Sequence, residues 1–237
     1  DAQTAAPIDA KTELQELAMK RKHATPAYQI VSQTGPAHAP TFHVSVTVLG
    51  VTAQGEGASR RLAEQAAALQ AAGAEAIALA TNTMHKLADN IISAVTVPFL
   101  HIADATAEAI LASPSRRPLL LATAFTMEQD FYTAPLGACL ASVGGAVHIP
   151  ETQHRQIVHQ VIYEELCKGV IDSDSRIAYL QIIRDEAETK GCDGVILGCT
   201  EIGLLISQKD TDLPVFDTTA LHCVQISNFI CADNRSA

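Results

Sequence analysis

One stretch limits what this chain can fold into more than any other: Gly194-Val195-Ile196-Leu197-Gly198-Cys199-Thr200-Glu201-Ile202-Gly203, an apolar run that stops on a thiol, a hydroxyl and a carboxylate. Its apolar part shows no alternation and is flanked by glycines, the pattern of a parallel strand covered on both faces. In open α/β sheets the loops leaving the carboxyl ends of strands form the binding crevice. Cys199 is therefore expected at that edge of a sheet, facing ligand. Ala76-Ile77-Ala78-Leu79-Ala80 repeats the form and breaks into Thr81-Asn82-Thr83-Met84-His85. Two such strand ends can face each other across a cleft.

This pairing resembles the aspartate/glutamate racemases, cofactor-independent enzymes in which residues on opposite sides of the substrate move the Cα proton. Gly198-Cys199-Thr200-Glu201 matches the family's second motif. At the first motif the family usually has Cys-Asn-Thr, and this chain has Thr81-Asn82-Thr83. Pro98-Phe99-Leu100-His101-Ile102, Thr126-Met127-Glu128-Gln129-Asp130-Phe131-Tyr132 and Leu213-Pro214-Val215-Phe216-Asp217-Thr218 extend the resemblance over about 170 residues. The family's glycine-rich first strand, its helix and the next strand have no counterpart. The resemblance implies Cys199 as the base and Thr81 as a proton donor or water-orienting group. Asn82, Thr83, Thr126, Thr200 and Glu201 become substrate contacts, with Glu201 orienting the ammonium, and the substrate is an acidic amino acid, aspartate or glutamate. No cofactor and no metal are implied. The chemistry is consistent with those residue types: a Cα–H beside a carboxylate needs a strong base on one face and a donor on the other. A thiolate suits the first role when amides or cations lower its pKa.

Ahead of this part, residues 9–67 carry a pattern of their own. Residues 11–21 read as a helix with Asp9 as a possible cap, 28–32 and 42–48 as strands around a Gly35-Pro36 turn, 52–57 as a third strand, and 59–67 as a capped helix opening on Arg60-Arg61. With Lys11-Thr12-Glu13-Leu14-Gln15-Glu16, Gly35-Pro36-Ala37-His38 and Ser59-Arg60-Arg61-Leu62-Ala63-Glu64-Gln65, this order resembles a double-stranded RNA-binding domain of the kind that ends ribonuclease III chains. Such domains touch successive minor grooves with the first helix and a loop, and phosphates with the start of the last helix. By position Thr12, Gln15 and Glu16 take the first role, His38 the second, and Arg60 and Arg61 the third. The acidic metal-binding signature of the nuclease is absent from the sequence, so no RNA cleavage is expected.

The fold class expected is α/β: an N-terminal α-β-β-β-α RNA-binding domain followed by a truncated, two-lobed, racemase-like parallel-sheet fold. The domains are 1–67, an incomplete first lobe at 68–106 with 207–237, and a second lobe at 107–206. Between the two parts, the alanine-rich helix at 62–75 has no Gly, Ser or Pro linker, which points to a rigid fusion. Beyond Thr81 the pattern predicts helices at 85–93, 103–113, 126–137, 151–168 and 174–190, and strands at 97–101, 119–123 and 145–149. The strand ending at Ala80, without its family neighbour, needs a new partner; self-association into a homo-oligomer is expected.

Composition narrows the setting. The 48% hydrophobic content supports sizeable cores. The opening residues show neither anchor nor secretory signal, no apolar run reaches the length of a membrane span, and the chain starts without Met, as a trimmed or excerpted product would. Net charge is −10. Residues 1–67 hold six basic and six acidic side chains of the chain's sixteen and twenty-six, so the acidity belongs to the rest. Cys139, Cys167, Cys192, Cys199, Cys223 and Cys231 show no CxxC spacing, which argues for reduced thiols and a cytoplasmic setting. Apart from Cys199 they read as small core residues. His85 reads as capping or packing the following helix, Thr126 also suits an N-cap, and His148, His154 and His159 lack the company of a metal site. Three readings stay open: a racemase, an RNA-binding module on a non-catalytic racemase-like scaffold, and a chimera in which neither part performs well.

Overall fold

The computed structural model describes residues 25–34, 41–48, 51–57, 65 and 68–233. The expected helix at 11–21, the Gly35-Pro36 turn and most of the helix at 59–67 lie outside them. The chain divides into two compact units, 1–77 with 87–99, and 78–86 with 100–237.

In the first unit, β1 (Ala27–Thr34), β2 (Thr41–Val48) and β3 (Val51–Gly57) form an antiparallel sheet in that order. The alternation read from the sequence sets the faces of β2: Val44, Val46 and Val48 are buried while Thr47 is exposed. A bulge between Ile30 and Ser32 interrupts the β1 register, and Ile30 and Val31 stay exposed. Helix α1 (Ala88–Ala94) packs against β3 and buries Ala88, Ile91 and Ala94 at helical spacing. A helical turn at 68–71 is joined to the segment after α1 by Gln70 Nε2, which donates to Thr96 Oγ1.

The chain crosses between the units at β4 (Ile77–Ala78) and β5 (Phe99–Leu100), two short strands that pair with each other. Both are shorter than the sequence pattern predicts: β4 gives way to irregular chain before the 3-10 turn Thr83–Leu87, and β5 stops because Ile102 already belongs to helix α2 (Ile102–Leu111).

The second unit holds the main core. Strands β6 (Pro118–Leu121), β7 (Gly194–Leu197) and β8 (Val215–Asp217) form a parallel sheet in that order, with Leu121 opposite Leu197 and Leu197 opposite Asp217. Leu119, Leu120, Leu121, Val195 and Ile196 are fully buried, as unbroken apolar runs require of a strand covered on both faces. Burying each such side chain contributes about 1.5–3 kcal/mol. The expected strand at 145–149 shrinks to one parallel bridge between Leu119 and His148. Gly144 adopts φ +73° just before it and Pro150 follows just after, leaving too little extended chain for a ladder.

Helices cover this sheet: α3 (Ala124–Glu128), α4 (Asp130–Ala141), α5 (Thr152–Glu164), α6 (Ser173–Lys190), α7 (Ile202–Leu205) and α8 (Thr218–Asp233). The single helix expected at 126–137 is two, broken where Gln129 takes an extended conformation, with the Asp130 carboxylate at the favourable N-terminal end of α4. Before β7, the Asp193 carboxylate accepts hydrogen bonds from Ser115 Oγ and from the backbone N–H groups of Arg116 and Arg117, which sets β6 and β7 in register. No described helix is long and apolar enough to cross a membrane.

Candidate active site

The loops that leave β4, β6 and β7 at their carboxyl ends meet in the second unit around a cavity of about 310 Å³. That is room for a small amino acid. Thr81, Asn82 and Thr83 line it from one side, and Cys199, Thr200 and Glu201 from the loop after β7. Five of these six were singled out by their sequence pattern as strand-end polar groups, and Cys199 by its thiol. Gly198 allows the β7 loop to lie close to β6, since a Cβ there would come within 2.7 Å of Leu120 and 3.0 Å of Ala122. Its N–H donates to the Leu121 carbonyl at 2.8 Å.

Cys199 is half-buried and its Sγ donates to Glu201 Oε2 at 2.9 Å; Thr200 Oγ1 donates to the same oxygen at 2.7 Å. Burial pushes the Cys199 pKa up, and the hydrogen bond to Glu201 adds to it, to about 12. Against burial, which alone would raise it, the hydrogen bonds from Cys199 and Thr200 hold Glu201 below the ordinary carboxylate value. The expectation of a thiol pKa lowered by amides or cations is therefore not met: Cys199 faces an ionised carboxylate and is held as a thiol. Glu201, expected to orient an ammonium, here accepts from its two neighbours.

The Thr81–Thr83 loop is held at each residue. The Thr81 carbonyl lies 2.7 Å from His85 Nδ1. Asn82 is buried, and its Nδ2 donates to Thr218 Oγ1 at 3.1 Å. Among the described residues Asn82 Oδ1 has no hydrogen-bond partner, which leaves a buried acceptor at the cavity wall. Thr83 Oγ1 shares a triangle of hydroxyls with Thr123 and Thr126, at 3.1 and 3.2 Å, closed by a 3.2 Å contact between the last two. Thr126 is thus not on the cavity wall; it stands behind Thr83 and holds it. Met84, Thr123, the α5 residues Ile162 and Tyr163, and Cys167 from the turn after α5 also line the cavity.

Thr218 ends the 213–218 motif but is not among the expected site residues. It is fully buried. Its hydroxyl accepts from Asn82 and donates to the Leu197 carbonyl at 2.8 Å. Two hydrogen bonds thereby connect the loop bearing Thr81 with Leu197, the last residue of the strand that leads to Cys199. A signal existed, because Thr218 follows the apolar Val215-Phe216 of β8 as a polar strand-end group, like Thr81 and Cys199. His85 is also buried. Ile102 N–H donates to its Nε2 at 3.2 Å, so the ring proton sits on Nδ1 and is given to Thr81. Burial, reinforced by nearby His101 and His222, lowers its pKa to about 4, keeping it neutral. The RNA-contact candidates Thr12, Gln15, Glu16, His38, Arg60 and Arg61 lie outside the described residues. Among the described residues no group of three or more His, Cys, Asp or Glu is placed to hold a metal ion.

The family model for Asp/Glu/Hydantoin racemase matches residues 14–226. A candidate Asp/Glu racemase from Yersinia pestis is 45% identical, with a TM-score of 0.64 over 70% of each chain. An aspartate racemase homologue from Pyrococcus horikoshii OT3 is 37% identical, with a TM-score of 0.65 over 72% of this chain and 73% of its own. A 65-residue stretch is 54% identical to ribonuclease 3 of Brucella canis, and it spans 26% of that protein and 27% of this one. The match to most of the chain and the cavity between two polar strand ends lead to the same assignment: the chain belongs to the Asp/Glu/Hydantoin racemase family.

Proposed function

We propose that the chain is a cofactor-independent amino-acid racemase that moves the Cα proton of an acidic amino acid between Cys199 and Thr81. The observation that carries this reading is that both residues line one cavity, Cys199 paired with an ionised carboxylate. Buried and bonded to Glu201, the thiol keeps its proton and is not itself a base. A substrate ammonium that takes Glu201 as its partner removes the acceptor that holds the thiol proton and places a positive charge near the sulfur. Both effects lower the thiol pKa. Thr81 does not ionise comparably, so it donates its proton or orients a donor water, and the two directions of reaction are unequal. Without the family's first strands, the Thr81 side is less firmly placed, and a misplacement of about 1 Å can cost roughly a hundredfold in rate.

L-Aspartate or L-glutamate incubated with the protein in heavy water is expected to gain deuterium at Cα. Cys199→Ala abolishes the gain, and Thr81→Cys makes interconversion of the enantiomers more symmetric. No deuterium above a protein-free control refutes the reading.

A second activity is favoured by the ribonuclease 3 match and by the antiparallel β1–β2–β3 sheet. The N-terminal part binds duplex RNA with little sequence preference, through Thr12, Gln15, Glu16, His38, Arg60 and Arg61. Phosphate contacts make such binding fall steeply with salt. A gel-shift titration of duplex RNA at low and high salt measures this, and binding unaffected by Arg60→Ala with Arg61→Ala removes those residues from the role. The six cysteines are free thiols, and we place the protein in the cytoplasm.

A further inference from the structure

We infer that His85 is the positioning residue of this site: its Nδ1–H fixes the Thr81 carbonyl while its Nε2 grips the first turn of α2, so that Thr81 is mounted on that helix. The inference rests on the racemase reading and adds a residue to it. Both ring nitrogens are used, at 2.7 Å to Thr81 O and 3.2 Å from Ile102 N. The first N–H groups of any helix lack partners within it. In α2 two histidines supply them, since His101 Nδ1 accepts from Ala103 N–H at 3.1 Å. A third, His222 of α8, donates from Nε2 to the Leu100 carbonyl at 2.9 Å, just before the helix begins. The rings of His101 and His222 lie 4.4 and 6.1 Å from that of His85.

The consequence for Thr81 follows from the geometry of the turn. Thr81 is only partly buried, whereas the residue four places on is 1% exposed and locked at both nitrogens. Asn82 and Thr83 are held through their side chains by Thr218 and by the Thr123–Thr126 pair. For Thr81 itself, the hold among the described residues is the carbonyl bond from His85. A histidine that only packed the core would need one of its two bonds no more than the other.

Two substitutions separate these bonds. His85→Asn keeps a donor near the position of Nδ1 and loses the reach to Ile102. His85→Gln keeps an acceptor near the position of Nε2 and loses the bond to Thr81. With L-aspartate in heavy water, His85→Ala and His85→Gln are expected to slow Cα deuterium exchange about tenfold or more at nearly unchanged KM, on the scale that misplacement of a reacting group costs. His85→Asn is expected to restore most of that loss. Equal loss in Asn and Gln, or a larger loss in Asn, overturns the assignment, as does a Gln variant that exchanges at the unsubstituted rate. If the unsubstituted protein exchanges no deuterium, the racemase reading has failed and the positioning role is decided by peptide-resolved hydrogen exchange. Faster exchange over residues 79–86 in His85→Gln than in His85→Asn then upholds it, and equal or reversed rates refute it.

Discussion

At the scale of single residues, the site turns on a thiol and a carboxylate that hold each other in opposite protonation states. Burial and the bond to Glu201 keep Cys199 protonated, and Cys199 helps keep Glu201 ionised. Glu201→Gln removes the negative charge while preserving an acceptor, so the Cys199 pKa is expected to fall from about 12. Alkylation of Cys199 by iodoacetamide at pH 8, followed by peptide mass spectrometry, should then run several-fold faster in the variant. An unchanged rate would mean that burial alone sets the pKa. Cys199 and Thr81 were legible in the sequence because each ends an apolar run. Thr218 was not, because its use depends on β8 lying beside β7, and the order of strands in a sheet cannot be read from any one of them.

Among elements, the parallel sheet was the most legible part, since Leu119–Leu121 and Val195–Leu197 are apolar without alternation. Less visible was where extended chain gives way to turns, as in the bridge at His148 and the break at Gln129. There the outcome depends on which backbone groups find partners on β6 or at a helix start. The β6–β7 spacing makes a prediction at this scale. Gly198→Ala places a methyl 2.7 Å from Leu120 Cδ1 and 3.0 Å from Ala122 Cβ. Overpacking of this kind costs about 1–3 kcal/mol, to be read as a lower midpoint in urea unfolding. Because Cys199 is the next residue, deuterium exchange into substrate should fall by more than the loss of stability explains. A variant as stable and as active as the original would show that β6 and β7 can separate freely.

For the whole molecule, the strands that carry the two site loops differ in how they are secured. In the second unit, β6 and β7 are fully buried and paired over four residues. Among the described residues, β4 pairs with β5 alone and over two residues, and a lone two-stranded sheet is marginal in water. Peptide-resolved hydrogen exchange should be slow over 118–121 and 194–197 and fast over 74–84, in a protein that light scattering shows to be self-associated. Slow, uniform exchange over 74–84 in a monomer would contradict this. The Asn82–Thr218–Leu197 connection also has a meaning in time. A ribosome that has delivered residue 217 has already made Thr81, Cys199 and every strand of the parallel sheet. What it has not made is the hydroxyl that spans them, which arrives with the first residue of the final helix. On the proposed racemase reading, turnover waits for Thr218, however early Thr81 and Cys199 are made.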